Sequence, residues 1–120
     1  MLENILVDRD LQERITNAVW DAFFGRSVTA GYYRNFTDVS AGTATGDLKA
    51  ATAAGLLTAV GATRARRYTA GPKLYEALVR ELGLEERPTS PEMGRSLIVT
   101  ELSRRLMPRE ARQAPLFASD

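Results

Sequence analysis

VSAGTATGDLKAATAAGLLTAVGATRARRY, residues 39 to 68, changes its period halfway along. Up to Ala54 the spacing is helical: Ser40 stands where an N-cap belongs, and Ala44, Leu48 and Ala51 share one face, with Gly42, Thr45, Gly46 and Lys49 on the opposite one. Gly55 supplies the left-handed residue that ends such a helix, placing it over 41–54. From Leu56 the pattern becomes that of strands: 56–60, a turn-prone Gly61-Ala-Thr63, then 64–69. In that second strand Arg64 and Arg66 would point one way and Arg67 the other. A short helix running straight into a β-hairpin is the reading everything else must fit.

Working toward the N-terminus, Asp38-Val39 is a tight connection. Thr29 can cap a helix of 30–37 whose Tyr32, Tyr33 and Phe36 are expected in the core. Residues 26–28 form a short extended piece, and Gly25 stops an amphipathic helix over 8–24. That helix starts at the capping-box-like Asp10-Leu-Gln-Glu13. Its stripe is Leu11, Ile15, Val19 and Phe23, broadened by Trp20 and Phe24. Toward the C-terminus, Gly71-Pro72 places proline in the first turn of a helix with Leu74, Leu78 and Leu82 on one side, ending at Gly83. A charged connection, Glu85-Glu-Arg-Pro88, precedes the helix start Ser90-Pro91-Glu92. Met93, Leu97, Ile98, Leu102 and Leu106 follow until Pro108 breaks the pattern and a polar, frayed tail begins.

Two short helices three residues apart, the second capped by serine and followed directly by a hairpin, make a winged helix-turn-helix. The expected fold is therefore mostly α with a small β-hairpin: a winged helix-turn-helix with its following helix over 1–84, and a C-terminal helical extension over 85–120 that packs on it or on a dimer partner. A chain of 120 residues is one domain, large enough to bury its own core.

Composition narrows the chemistry. The chain has no cysteine, hence no disulfide or thiolate site, and no histidine, hence none of the commonest general base or metal ligand. The remaining acids, Asp38, Asp47, Glu85 and Glu86 among them, have no spacing that reads as a metal site or an acid–base pair, so neither a cofactor nor an enzymatic role is expected. Apolar runs are far shorter than the ~20 residues of a membrane helix, and the acidic N-terminus is unlike a signal peptide; a soluble, cytoplasmic chain is the expectation.

A formal net charge of +1 conceals an uneven distribution. Residues 1–25 net −3, residues 26–73 carry seven Lys/Arg against Asp38 and Asp47 for +5, and residues 74–120 net −1. A basic middle between acidic flanks fits a nucleic-acid partner. Such a partner would meet Ser40, Thr43, Thr45 and Lys49 on the helix, in the major groove, and Arg64, Arg66 and Arg67 on the hairpin, at phosphates. Alternatively, one of those arginines pairs with a carboxylate of the domain, Asp47 being a candidate. The exposed helix face carries Ala41 and Gly46 where base-reading side chains would stand, leaving Lys49 as its only charge, and glycine inside a helix costs about 1 kcal/mol relative to alanine.

These residues resemble a known family. Ser40, Thr43-Ala44, Asp47-Leu48, Gly55-Leu56-Leu57, Gly61 and Arg67-Tyr68 are similar to the winged helix that follows the catalytic core in many Fic (filamentation induced by cAMP) family proteins. The likeness covers about a quarter of the chain closely and about half loosely if 10–38 are included, and the Gly-Leu-Leu and Arg-Tyr elements recur in bacterial MarR-like and DeoR-like regulators. It implies a DNA-binding accessory or regulatory domain in transcription regulation. The Fic catalytic motif begins with histidine and runs through Gly-Asn-Gly-Arg; this chain has no histidine and no Gly-Asn pair, so that family's nucleotidyl transfer cannot reside in it. The function expected is thus double-stranded DNA binding. The alternative is a winged-helix-shaped interaction module that forms a homodimer through its terminal helices.

Overall fold

The structure, a computed structural model, describes residues 2–106; Met1 and the expected polar tail lie outside it. It is built of helices with one two-stranded antiparallel hairpin, in the element order of a winged helix-turn-helix with two helices appended.

The N-terminus departs from the single helix expected over 8–24. Helix α1 (Leu2–Asp8) comes first and buries Leu2, Ile5 and Leu6, an i, i+3, i+4 set. Its end is a left-handed cap: the Asp10 N–H reaches Val7 O at 3.0 Å, the Leu11 N–H reaches Leu6 O at 2.9 Å, and Asp10 has φ +57°. Asp10 therefore closes one helix rather than opening the next, a role aspartate fills because it tolerates that conformation. A 3-10 turn (Glu13–Ile15) leads into α2 (Thr16–Phe23). Ile15, Val19 and Phe23 are buried as the stripe required, while Phe24 is exposed.

Helix α3 (Ala30–Thr37) is capped by Thr29, whose Oγ1 accepts from the Tyr32 N–H at 3.1 Å, and it closes on Asp38 with φ +56°. After the turn, α4 (Ala41–Ala53) begins where Ser40 Oγ accepts from the Thr43 N–H at 3.1 Å. Ala44, Leu48 and Ala51 face inward. Of the three aromatics expected in the core, only Tyr33 is buried; Tyr32 and Phe36 are 47% and 56% exposed. Residues i and i+4 share a face that i+1 does not, so α3 buries one aromatic and stacks the other two outside, their rings 6.1 Å apart.

The hairpin pairs β1 (Leu57–Val60) with β2 (Arg67–Ala70), Leu57 opposite Ala70 and Val60 opposite Arg67. Leu56, Leu57 and Tyr68 anchor it in the core. Val28, in the extended piece before α3, exchanges two backbone hydrogen bonds with Tyr68 at 2.9 and 2.8 Å and so adds a second, short partner to β2. The expected strand alternation of the arginines fails at Arg64. Thr63 adopts φ +49°, a 3-10 turn occupies Thr63–Ala65, and β2 starts only at Arg67.

Helix α5 (Leu74–Glu81) starts two residues later than proline-first capping predicted. Pro72 and Lys73 form a turn, with the Gly71 N–H on Leu56 O and the Lys73 N–H on Gly55 O, both at 2.9 Å. Gly71 is fixed by space: a Cβ there would lie 2.2 Å from Gly55 O. Leu74, Leu78 and Leu82 are buried. Helix α6 (Pro91–Leu106) lies across α5 along a narrower line than expected, Gly94, Ile98 and Leu102. Gly94 rests on the Tyr75 side chain, and Leu106 is 81% exposed. The Leu74 stripe and the Ile15, Val19 and Phe23 stripe are consumed inside the chain.

Candidate nucleic-acid interface

Helix α4 reaches the surface because its inward face is small and regular. Ala44, Leu48 and Ala51 let it lie close against α3 and the Glu13–Ile15 turn, while Gly42, Gly46, Lys49 and Ala50 remain exposed. A methyl group at Gly42 or Gly46 would meet nothing within 4 Å, so no neighbour in the described chain requires either glycine.

The hairpin loop stands beside this face. Thr45 of α4, Arg64 and Arg66 of the loop and the first residues of α3, Thr29 to Gly31, line one cleft of about 360 Å³. Arg64 and Arg66 are exposed and make no ion pair among the described residues, while Arg67 lies 3.4 Å from Ser27 Oγ through Nη1. The cleft thus brings together three of the seven residues singled out from sequence: Thr45, Arg64 and Arg66. Lys49 lies exposed farther along α4. Ser40 and Thr43 sit at its start, committed to the cap, with the Ser40 hydroxyl also donating to Thr43 Oγ1 at 2.9 Å.

Asp47 does not pair with the hairpin. Its carboxylate takes Arg14 in a two-pronged contact, Nε to Oδ2 at 2.5 Å and Nη2 to Oδ1 at 3.0 Å, and the Tyr33 hydroxyl donates to Oδ2 at 2.7 Å. Burial by itself would raise the Asp47 pKa; the Arg14 and Tyr33 hydrogen bonds outweigh it and hold the group below the usual carboxylate range. Burial, reinforced by the neighbouring carboxylate, pushes the Tyr33 hydroxyl well above its ordinary value. Asp47 is therefore an ion held inside the helix pair, and its charge is answered by Arg14. That leaves Asp38, in the turn, as the exposed acid of residues 26–73.

Sequence reasoning missed Arg14. It is 33 residues from Asp47, in a 3-10 turn where the spacing predicts helix, and no local pattern links the two. Among the described residues no group of three or more acids could hold a metal ion, and no helix is long and apolar enough to cross a membrane. Comparison of the chain with protein families, curated proteins and solved structures finds no match.

Proposed function

We propose that this chain is a DNA-binding module, an accessory or regulatory domain of the Fic type, that presents α4 to the major groove of duplex DNA and the hairpin arginines to its backbone. The observation that carries this reading is the cleft where Thr45 meets Arg64 and Arg66. A helix face and two guanidinium groups without an ion pair among the described residues converge there, and the buried carboxylate of Asp47 is already taken by Arg14. Arg64, Arg66 and Arg67 neutralise phosphates; Lys49 adds a fourth contact; Thr45 offers a hydroxyl and a methyl group to base edges, beside the Thr43 methyl group. With two glycines and Lys49 on the outer face, affinity comes mainly from the phosphates and sequence preference is shallow.

The test is binding to a random duplex across salt concentrations. Four phosphate contacts give a log–log slope of about −3.6, so a fourfold rise in salt weakens binding by roughly 150-fold. The Arg64→Ala, Arg66→Ala, Arg67→Ala triple variant flattens that slope by about 2.7. A salt-independent affinity, or a triple variant that binds as the parent does, overturns the proposal.

A second reading rests on the exposed Tyr32 and Phe36, whose rings lie 6.1 Å apart, an aromatic pair suited to a protein partner or a second copy. Light scattering at two concentrations separates it. A mass that doubles with concentration and a duplex affinity insensitive to the arginines together favour the interaction module.

A further inference from the structure

On the opposite side of the hairpin from the arginine loop lies a larger cleft, about 1020 Å³, bounded by β1 and β2, α5, the 84–90 connection and the start of α6. We propose that it binds a small organic anion, a carboxylate on an apolar body, with Arg95 as the anion receptor. The inference stands independently of DNA binding.

The volume is at the upper end of the range for small-molecule sites, roughly 300–1,000 Å³. Its walls divide by chemistry. Tyr75, Val79 and Leu84 supply an apolar side, and Thr58 and Thr69, cross-strand partners in the hairpin, supply hydroxyls opposite. Arg95 is the decisive residue. Its Nε donates to Phe23 O at 3.0 Å, at the C-terminal end of α2, which fixes the plane of the guanidinium. The two Nη groups have no acceptor among the described residues and lie beside Gly25, which lines the same cleft; a methyl group there would stand 3.8 Å from Nη2. A half-buried, oriented guanidinium with its paired N–H groups unused matches the two oxygens of a carboxylate.

The surrounding charges reinforce that preference. Glu76 on the wall is taken by Arg80 at 3.4 Å, and Arg87 is exposed with no ion pair among the described residues; Glu85 is the opposing acid. The first turn of the sixteen-residue α6 opens onto the cleft at Ser90 and Pro91, adding the positive end of its dipole. An apolar wall selects an organic body over a bare inorganic ion, and the guanidinium selects a carboxylate over its neutral amide.

Benzoate, benzamide and inorganic phosphate, titrated into the full chain and followed by amide NMR shifts, test this directly. Benzoate should shift residues 58, 69, 75–79 and 84–90 saturably, and benzamide should bind at least about tenfold more weakly, the loss of one charge-assisted pair. Phosphate should be weaker than benzoate for want of an apolar body. R95Q should weaken benzoate by about tenfold, and R87Q, whose side chain is exposed, by about twofold. Since Arg95 also joins α6 to α2, the benzoate–benzamide comparison on the unmodified chain decides the matter even if R95Q unfolds. No saturable shifts, shifts confined to the arginine loop, or equal binding of benzoate and benzamide would overturn the assignment.

Discussion

Replacing Asp47 with asparagine keeps the side chain's shape and removes the charge that α4 carries inward. In the folded chain its carboxylate, 8% exposed, accepts two hydrogen bonds from Arg14 and one from Tyr33. Asparagine has one acceptor oxygen and turns an NH2 group toward a donor, so at least one of those bonds is lost and the others lose their ionic character. Hydrogen bonds to a charged group contribute about 1.5–3 kcal/mol each. The Arg14 side chain is 37% exposed and recovers part of its hydration when released, which lowers the expected cost to about 2 kcal/mol. Against a total stability of roughly 5–15 kcal/mol this is a large fraction, equivalent to a fall in Tm of about 8 °C. Urea denaturation followed by far-UV circular dichroism at pH 7 and near pH 3 reads it. The native pKa of Asp47 lies below its unfolded value, so the pair's contribution is complete above about pH 5 and fades as pH falls through the native value. The gap between parent and D47N should therefore be widest at pH 7 and narrow in acid. A gap under about 0.5 kcal/mol at pH 7, or one unchanged near pH 3, refutes the reasoning.

Three further outcomes follow from packing. Leu48→Ala removes a side chain with no exposed surface from the inward face of α4 and should cost about 2–5 kcal/mol by the same denaturation assay. Gly71→Ala forces a methyl group into the Gly55 carbonyl and should cost about 3 kcal/mol or more; a neutral result would mean the 55–56 and 71–73 backbones are not joined as described. Gly46→Ala meets open space and should raise stability by about 0.5–1 kcal/mol, while duplex affinity falls if DNA approaches that backbone closely.

Local signals made much of the fold readable. Thr29 and Ser40 cap the helices they were expected to cap, Gly25, Gly55 and Gly83 stop them, and the switch from helical to alternating spacing after Gly55 locates the hairpin. What escaped was either ambiguous or remote. Asp10 suits a helix start and a left-handed helix end equally, and α1 is only seven residues long, too short for its three apolar positions to stand out. Thr63 at positive φ converts the arginine strand into a turn, a conformation a β-branched residue seldom adopts and no pattern announces. At the candidate interface, the arginine cluster was visible as charge. The use of Asp47 by Arg14 was not, because which of many arginines meets a given carboxylate is settled by tertiary packing.

The Val28–Tyr68 bridge sets how the arginine loop can behave. With β2 hydrogen-bonded along both edges at its base, the loop between Val60 and Arg67 is a short tether on a fixed post: whatever pulls on its guanidinium groups acts through that base on the segment joining α2 to α3 rather than on the hairpin alone.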